Sequence, residues 1–185
     1  MVLVRHGETE WSASGRHTSR TELALTERGR SQAAAAGAQL LVWLFAEIWA
    51  SPRARALDSA RLAGFAERVE VRDDLAEWDY GDYEGRTSAD ILAVRPGWDL
   101  FADGCPGGES PAEVAIRADR VVAQARAAAG PVAVFAHGHI LRVVASRWID
   151  ESVAFGAKLG SLGTSSVGVL GEEKGRPVLG RWAGA

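Results

Sequence analysis

The chain has 185 residues, 47% hydrophobic and 24% charged, with a formal net charge of −3 and a single cysteine, Cys105. That composition describes one globular domain over residues 1–185 with a core of its own. It excludes an intrachain disulfide and a membrane-spanning run, and it argues against a nucleic-acid partner; with no basic-then-apolar leader at the start, a cytoplasmic location is expected.

Residues 1–4 are apolar and predict a short buried strand, ended by Gly7. Residues 8–22 are polar and aperiodic, the pattern of a long loop. Thr26 precedes Glu27-Arg28-Gly29 as a helix cap, and residues 32–44, rich in Ala and Leu, continue that helix. Residues 45–50 suit a second strand. Ser51-Pro52 then places a cap and a first-turn proline ahead of a helix reaching about residue 63. Residues 69–72 are a short β-like stretch. Residues 73–110 carry Trp78, Tyr80, Tyr83, Pro96, Pro106 and repeated glycines, and predict a long excursion with one short helix at 87–94. A connection of that length inside a compact domain is usually functional. Residues 111–129 predict a helix, 131–136 a strand ending on His137-Gly138-His139, and 140–148 another helix. Residues 165–170 and 177–182 predict a terminal hairpin around a turn at 171–175.

Strands alternating with helices imply an α/β fold, a three-layer α/β/α sandwich with a mostly parallel central sheet. Ligands of such sheets bind beyond the carboxyl ends of the strands. The residues that follow each strand are therefore expected in one crevice: Arg5 and His6, the Ser51 segment with Arg55, the Glu77 segment, and His137 with His139. Two arginines facing one crevice suit a dianion such as phosphate, whose oxygens match guanidinium forks. His6 is a candidate nucleophile, its imidazole kept neutral by cationic neighbours such as Arg5. His137 is a candidate donor to a phosphoryl oxygen. Glu77 is a candidate acid for the leaving oxygen and then a base for water. Gly7 and Gly138 are expected to let backbone approach an oxyanion.

The run Leu3-Val4-Arg5-His6-Gly7-Glu8-Thr9 resembles the RHG signature of the histidine phosphatase superfamily, which has the phosphoglycerate mutase-like fold. The resemblance spans the chain. Leu25-Thr26-Glu27-Arg28-Gly29-Arg30-Ser31-Gln32 resembles LTxxGxxQ. The stretch from Ser51 through Arg55 to Ala60 resembles SPxxRAxxTA, with Ser59 in place of Thr. Leu75-Ala76-Glu77 through Glu84-Gly85 resembles LxExxxGxxEG, and Ala136-His137-Gly138-His139 resembles the second histidine motif. The resemblance implies that His6 is phosphorylated, that Arg5, Arg55 and His137 form the phosphate pocket, and that Glu77 is the proton donor. It places Ser12 where many members have an Asn that contacts phosphate, and it turns the main-chain N–H of His139 toward the phosphate. The segments around Trp11–Thr18 and Glu77–Gly85 look like the sugar-phosphatase group, which includes sedoheptulose-1,7-bisphosphatase-like enzymes and broad acid phosphatases. By that likeness His17, Thr18, Tyr80 and His139 are candidate substrate contacts. No metal or organic cofactor is implied. The expected partner is a small phosphorylated metabolite, and analogy adds a homodimer.

Competing readings are open at this level. His137 and His139 have the spacing of a metal pair, but no third ligand cluster accompanies them and Arg5 and Arg55 would repel a cation. Glu84 is the rival to Glu77 for the acid role. Cys105 lacks the arginine six residues later that a cysteine phosphatase needs, since Pro111 stands there. A phosphoglycerate mutase would share every core residue, and a phosphate-binding regulator without catalysis is a further alternative.

Overall fold

The computed structural model describes residues 1–182. Six strands form one mixed sheet in the order β3-β2-β4-β1-β5-β6: β1 Val2–Arg5, β2 Glu47–Ala50, β3 Val69–Val71, β4 Val132–Ala136, β5 Val167–Glu173 and β6 Arg176–Trp182. The first four run parallel, while β5 is antiparallel to β1 and to β6. The hairpin turn at Lys174-Gly175 has φ of 51° and 74°, so both central residues are left-handed, as a two-residue turn between twisted strands requires.

Alternation along the central strands divides the core into two layers. Val2, Val4, Ile48, Ala50, Ala133 and Phe135 face one side, against helices α2 (Glu27–Leu40) and α3 (Ala54–Ala60). Leu3, Trp49, Val132, Val134 and Ala136 face the other, against α6 (Pro111–Ala127) and α7 (Gly138–Trp148). Among the described residues no helix is long and apolar enough to cross a membrane.

Several boundaries differ from expectation. Residues 8–22 contain a one-turn helix, α1 (Glu10–Ala13), closed by reciprocal bonds between Thr9 and Ser12. Helix α2 stops at Leu40 instead of 44. The apolar run beyond it is a turn with Leu41, Val42 and Leu44 exposed, and only Phe45 is buried, with Trp43 stacked on it. Arg53, not Ser51, stands at the N-cap of α3, which leaves Pro52 outside the helix. The helix then widens into a π turn, Arg61–Phe65, where Gly64 has a φ of 98°.

The excursion after β3 holds α4 (Ser88–Val94) as expected and a second short helix, α5 (Leu100–Asp103). Its aromatic residues do not stay on the surface. Trp78, Tyr80 and Tyr83 are buried with Trp98 and Phe101, as edge-to-face pairs Trp78–Phe101 and Tyr83–Trp98, and they extend the α6–α7 layer of the core. The excursion is thus part of the packed body that walls the crevice.

Gly7 has a different role from the one expected. A Cβ there would lie 2.3 Å from the carbonyl oxygen of Gly29, and a Cβ on Gly29 would lie 2.1 Å from the carbonyl oxygen of Glu8. The two glycines let the loop after β1 press against the first turn of α2. Gly29→Ala is expected to lower stability by about 2 kcal/mol or more, the upper range for overpacking against backbone that cannot yield. Gly160→Ala, whose Cβ would meet nothing within 4 Å, is expected to leave the thermal midpoint within a degree or two of wild type. Thermal denaturation of the two variants checks both.

Candidate active site

The carboxyl ends of β1 and β4 lie side by side, Arg5 paired with Ala136, and deliver His6 on one and His137, Gly138 and His139 on the other. Between them opens a cavity of about 210 Å³. Arg5, His6, Ser12, His17, Thr18, Glu77, Tyr80 and His139 all line it. Arg55 and His137 do not. They are buried in a layer directly behind, 0% and 1% exposed.

The hydrogen bonds assign the tautomers. His6 Nδ1 lies 2.7 Å from the carbonyl oxygen of Gly7. A carbonyl only accepts, so Nδ1 carries the proton and Nε2 keeps its lone pair. Burial, then Arg5 and Arg55, push the pKa of His6 well below the usual 6.5 against the opposing pull of the Gly7 carbonyl. In His137 the roles are reversed. Arg55 Nε donates to Nδ1 at 3.2 Å, so the proton sits on Nε2, 2.7 Å from the Ser51 hydroxyl oxygen. Burial, then Arg55 and His6, likewise hold this imidazole neutral. The two rings are 5.1 Å apart, centroid to centroid.

Arg55 is fully engaged. Besides its bond to His137, it donates from Nη1 to the carbonyl of Thr21 and from Nη2 to those of Thr18 and Ser19. Arg5 is less so. Its Nη1 donates to the carbonyl of Leu162 at 2.6 Å, while its buried Nε has no partner among the described residues. A buried donor without an acceptor is costly, and it marks the place where an anion would be welcome.

The Glu77 carboxylate accepts three main-chain N–H groups. Trp78 and Ile140 donate to Oε1 at 2.9 and 2.8 Å, and His139 donates to Oε2 at 3.0 Å. Two of these donors belong to the first turn of α7, whose N-cap, His137, supplies no side-chain cap. Glu77 fills that place from another part of the chain. The N–H of His139, expected to face a phosphate, is therefore given to Glu77. The rival carboxylate Glu84 lies outside the cavity wall and accepts from the N–H groups of Ser19 and Thr21 and the hydroxyl of Ser19. Burial opposes its ionisation, but those donors outweigh it and hold the carboxyl below its ordinary range.

The remaining wall is aromatic. Tyr80 is buried, and its hydroxyl sits 2.6 Å from His139 Nδ1. Burial and the nearby Glu77 raise the phenol well above its usual pKa, so the Tyr80 hydroxyl keeps its hydrogen beside His139. His17 packs edge-on against Tyr80 at 4.7 Å. The hydroxyl of Ser12 is committed locally, donating to the Thr9 carbonyl and accepting the Thr9 N–H. His137 and His139 turn to different partners, and among the described residues no group of three or more His, Cys, Asp or Glu is placed to hold a metal.

The sequence reading missed Arg16, Ser88 and Ser161, which also line the cavity. Arg16 sits in the segment already singled out and could have been found as its one arginine; Ser161 carries no sequence signal. It also missed a second chamber of about 320 Å³ that shares His17, Ser88 and His139 with the first and adds Trp98, Asp99, Phe101 and Arg142. The Arg142 guanidinium lies 4.4 Å above the Phe101 ring.

A profile of the histidine phosphatase superfamily (branch 1) matches residues 1–184. An acid phosphatase of Mycobacterium tuberculosis is 46% identical over 180 residues, covering 95% of this chain and 87% of that protein. Sedoheptulose 1,7-bisphosphatase of Saccharomyces cerevisiae is 35% identical over 184 residues, covering 82% of this chain and 68% of that protein. A solved structure of an open reading frame product from Mycobacterium tuberculosis superposes with a TM-score of 0.94 at 43% identity, covering 98% of this chain and 95% of that one. With that agreement in sequence and fold, the chain belongs to branch 1 of the histidine phosphatase superfamily and is a phosphatase of that family.

Proposed function

We propose that the protein hydrolyses small phosphorylated metabolites, sugar phosphates foremost, through a phosphohistidine on His6. The observation that carries this reading is the state of His6: a neutral imidazole at a cavity wall, its proton held on Nδ1 by Gly7 and its Nε2 lone pair free. In the first step, which Glu77 enters with a proton on Oε2, Nε2 bonds to phosphorus, the bond from phosphorus to the leaving oxygen breaks, and Glu77 gives that oxygen its proton. In the second, Glu77 takes a proton from water as the water oxygen bonds to phosphorus and the phosphorus–nitrogen bond breaks. Glu77 Oε1 already accepts two N–H groups, whereas Oε2 accepts one and keeps a lone-pair position for that proton.

Arg5 meets the phosphoryl oxygens from the wall, and Arg55 and His137 support the pocket from behind it. Ser12, His17, Thr18, Tyr80 and His139 bound the substrate, and the leaving group extends into the second chamber. Aromatic faces, the Asp99 carboxylate and the Arg142 cation suit a hydroxylated leaving group there. The phosphatase names of the two relatives support hydrolysis over mutase action and over phosphate binding without turnover. A single cysteine fits the cytoplasmic location we infer; burial, then Asp79, pushes the Cys105 thiol up to about 12 and makes it a poor rival to His6 as nucleophile.

His6→Ala is expected to reduce turnover of a generic phosphomonoester by a factor on the order of 10³ or more and to abolish an acid-labile phosphoenzyme in quenched-flow labelling. Full activity in that variant would sink the covalent route. With 3-phosphoglycerate as substrate, release of inorganic phosphate is expected to outrun formation of the 2-isomer; the reverse order would make the protein a mutase.

Because its pKa is lowered, His6 stays neutral as pH falls through 6.5, so the acid limb of kcat/KM due to this group is expected below that value. Stability moves the other way. Below about pH 6.5 the unfolded chain binds protons that buried His6 and His137 do not. The unfolding free energy is therefore expected to fall with pH, by up to about 1.4 kcal/mol per pH unit for each histidine, measurable by urea titration from pH 7.5 to 5.

A further inference from the structure

We propose that Arg117 and Glu109 are positioning residues for Glu77, acting through the backbone on either side of it; this rests on the reading of Glu77 as the proton donor. The segment that bears Glu77 needs such a device. It lies between two short 3₁₀ turns, Asp73–Leu75 and Gly81–Tyr83, and belongs to no strand or longer helix that would hold it. The bonds from α7 secure the carboxylate at the tip of the side chain but not the main chain behind it.

Arg117 and Glu109 hold that main chain on both flanks. Arg117, on α6, donates from Nη1 to the carbonyl oxygens of Asp74 and Ala76 at 2.8 and 2.6 Å. The rest of its guanidinium makes a two-pronged pair with Glu109, Nε to Oε1 at 2.7 Å and Nη2 to Oε2 at 2.9 Å. Glu109 then takes the other flank. Its Oε2 accepts the N–H of Asp79, its carbonyl accepts the indole N–H of Trp78, and its own N–H donates to the Asp79 carbonyl. The contacts thus reach residues 74, 76, 78 and 79 and leave Glu77 in the middle, touched by neither charge. Arg117 is only 8% exposed and Glu109 is half-buried, and the two-pronged pairing makes their geometry definite. Gly108 brings the two backbones together, since a Cβ there would lie 2.2 Å from the Asp79 carbonyl oxygen. A carboxyl group that must meet a leaving oxygen within hydrogen-bond reach loses rate steeply when displaced by an ångström.

The test compares an alkyl phosphate, whose leaving oxygen needs a proton, with p-nitrophenyl phosphate, whose leaving oxygen needs little help. Arg117→Met is expected to lower kcat on glycerol 2-phosphate about tenfold or more and to leave kcat on p-nitrophenyl phosphate within about threefold. Arg117→Lys, which restores one charged donor, is expected to fall between. The double variant Glu77→Gln/Arg117→Met is expected to lose no more on the alkyl substrate than Glu77→Gln alone, because the clamp acts only through the group already removed. Arg120→Met, which removes an exposed pair to Asp74 of the same segment, is expected to change neither rate.

Equal losses on both substrates for Arg117→Met, or losses that multiply in the double variant, would overturn the inference. If Arg117→Met does not fold, Glu109→Gln, which keeps the shape and an acceptor for Asp79, is judged by the same two criteria. Should Glu77→Gln itself slow both substrates equally, the donor role of Glu77 fails and the clamp with it. A selective effect in Glu77→Gln without one in Arg117→Met or Glu109→Gln sinks the clamp alone.

Discussion

Arg55 carries a permanent charge at a position with no solvent contact, and the arrangement of the whole cavity follows from how that charge is accommodated. A buried guanidinium is tolerable only when its N–H groups are taken up. Here the acceptors are three carbonyls of one loop, those of Thr18, Ser19 and Thr21, and the imidazole of His137. Those four bonds tie the loop after β1 to the end of β4. They also fix the tautomer of His137 and, through it, the hydroxyl of Ser51 at the end of β2. Two strand ends and one loop are thereby set relative to one another by a single side chain.

The same charge shapes the chemistry. Burial is the larger cause that keeps the two imidazoles neutral, and Arg55 with Arg5 adds a positive potential in the same direction. A neutral histidine among arginines is the state a nucleophile toward a phosphoryl dianion requires: the cations attract the substrate and deny the imidazole a proton. Glu84 contributes from outside the cavity. By binding the N–H groups of Ser19 and Thr21, it holds the loop whose carbonyls receive Arg55. The carboxylate that competes with Glu77 on sequence grounds is therefore a support for the opposite side of the site.

How much of this the sequence reveals depends on how local each cause is. The central strands are legible because their residues are apolar on both faces, and strand ends then bring Arg5, His6 and His137 together by topology alone. Helix α6 is legible at its start because Ser110, Pro111 and Glu113 form its cap within four residues. The end of α2 is not, since Leu41, Val42 and Leu44 continue an apolar pattern that the fold leaves exposed. Gly7 announces a close approach but not with what; the answer, Gly29, is in contact in space but 22 positions away along the chain. The bonds of Ser12 to Thr9, of Glu77 to α7 and of Arg117 to the carbonyls of Asp74 and Ala76 are all invisible to composition or periodicity, because a hydroxyl, carboxylate or guanidinium can be satisfied in many ways until the backbone is placed.

The two chambers that meet at His139 give the molecule a division of labour along its chain. The groups proposed to meet phosphorus, Arg5 and His6, sit at a strand end, locked by the sheet register. The second chamber is walled largely by the excursion, at Ser88, Trp98, Asp99 and Phe101, with Arg142 reaching in from α7. No residue between the glycine at position 85 and the cysteine at 105 pairs with the strands whose register aims His6. On the function proposed above, reaction and selectivity would then have separate addresses along the chain, the first on strand ends and the second on a single connection.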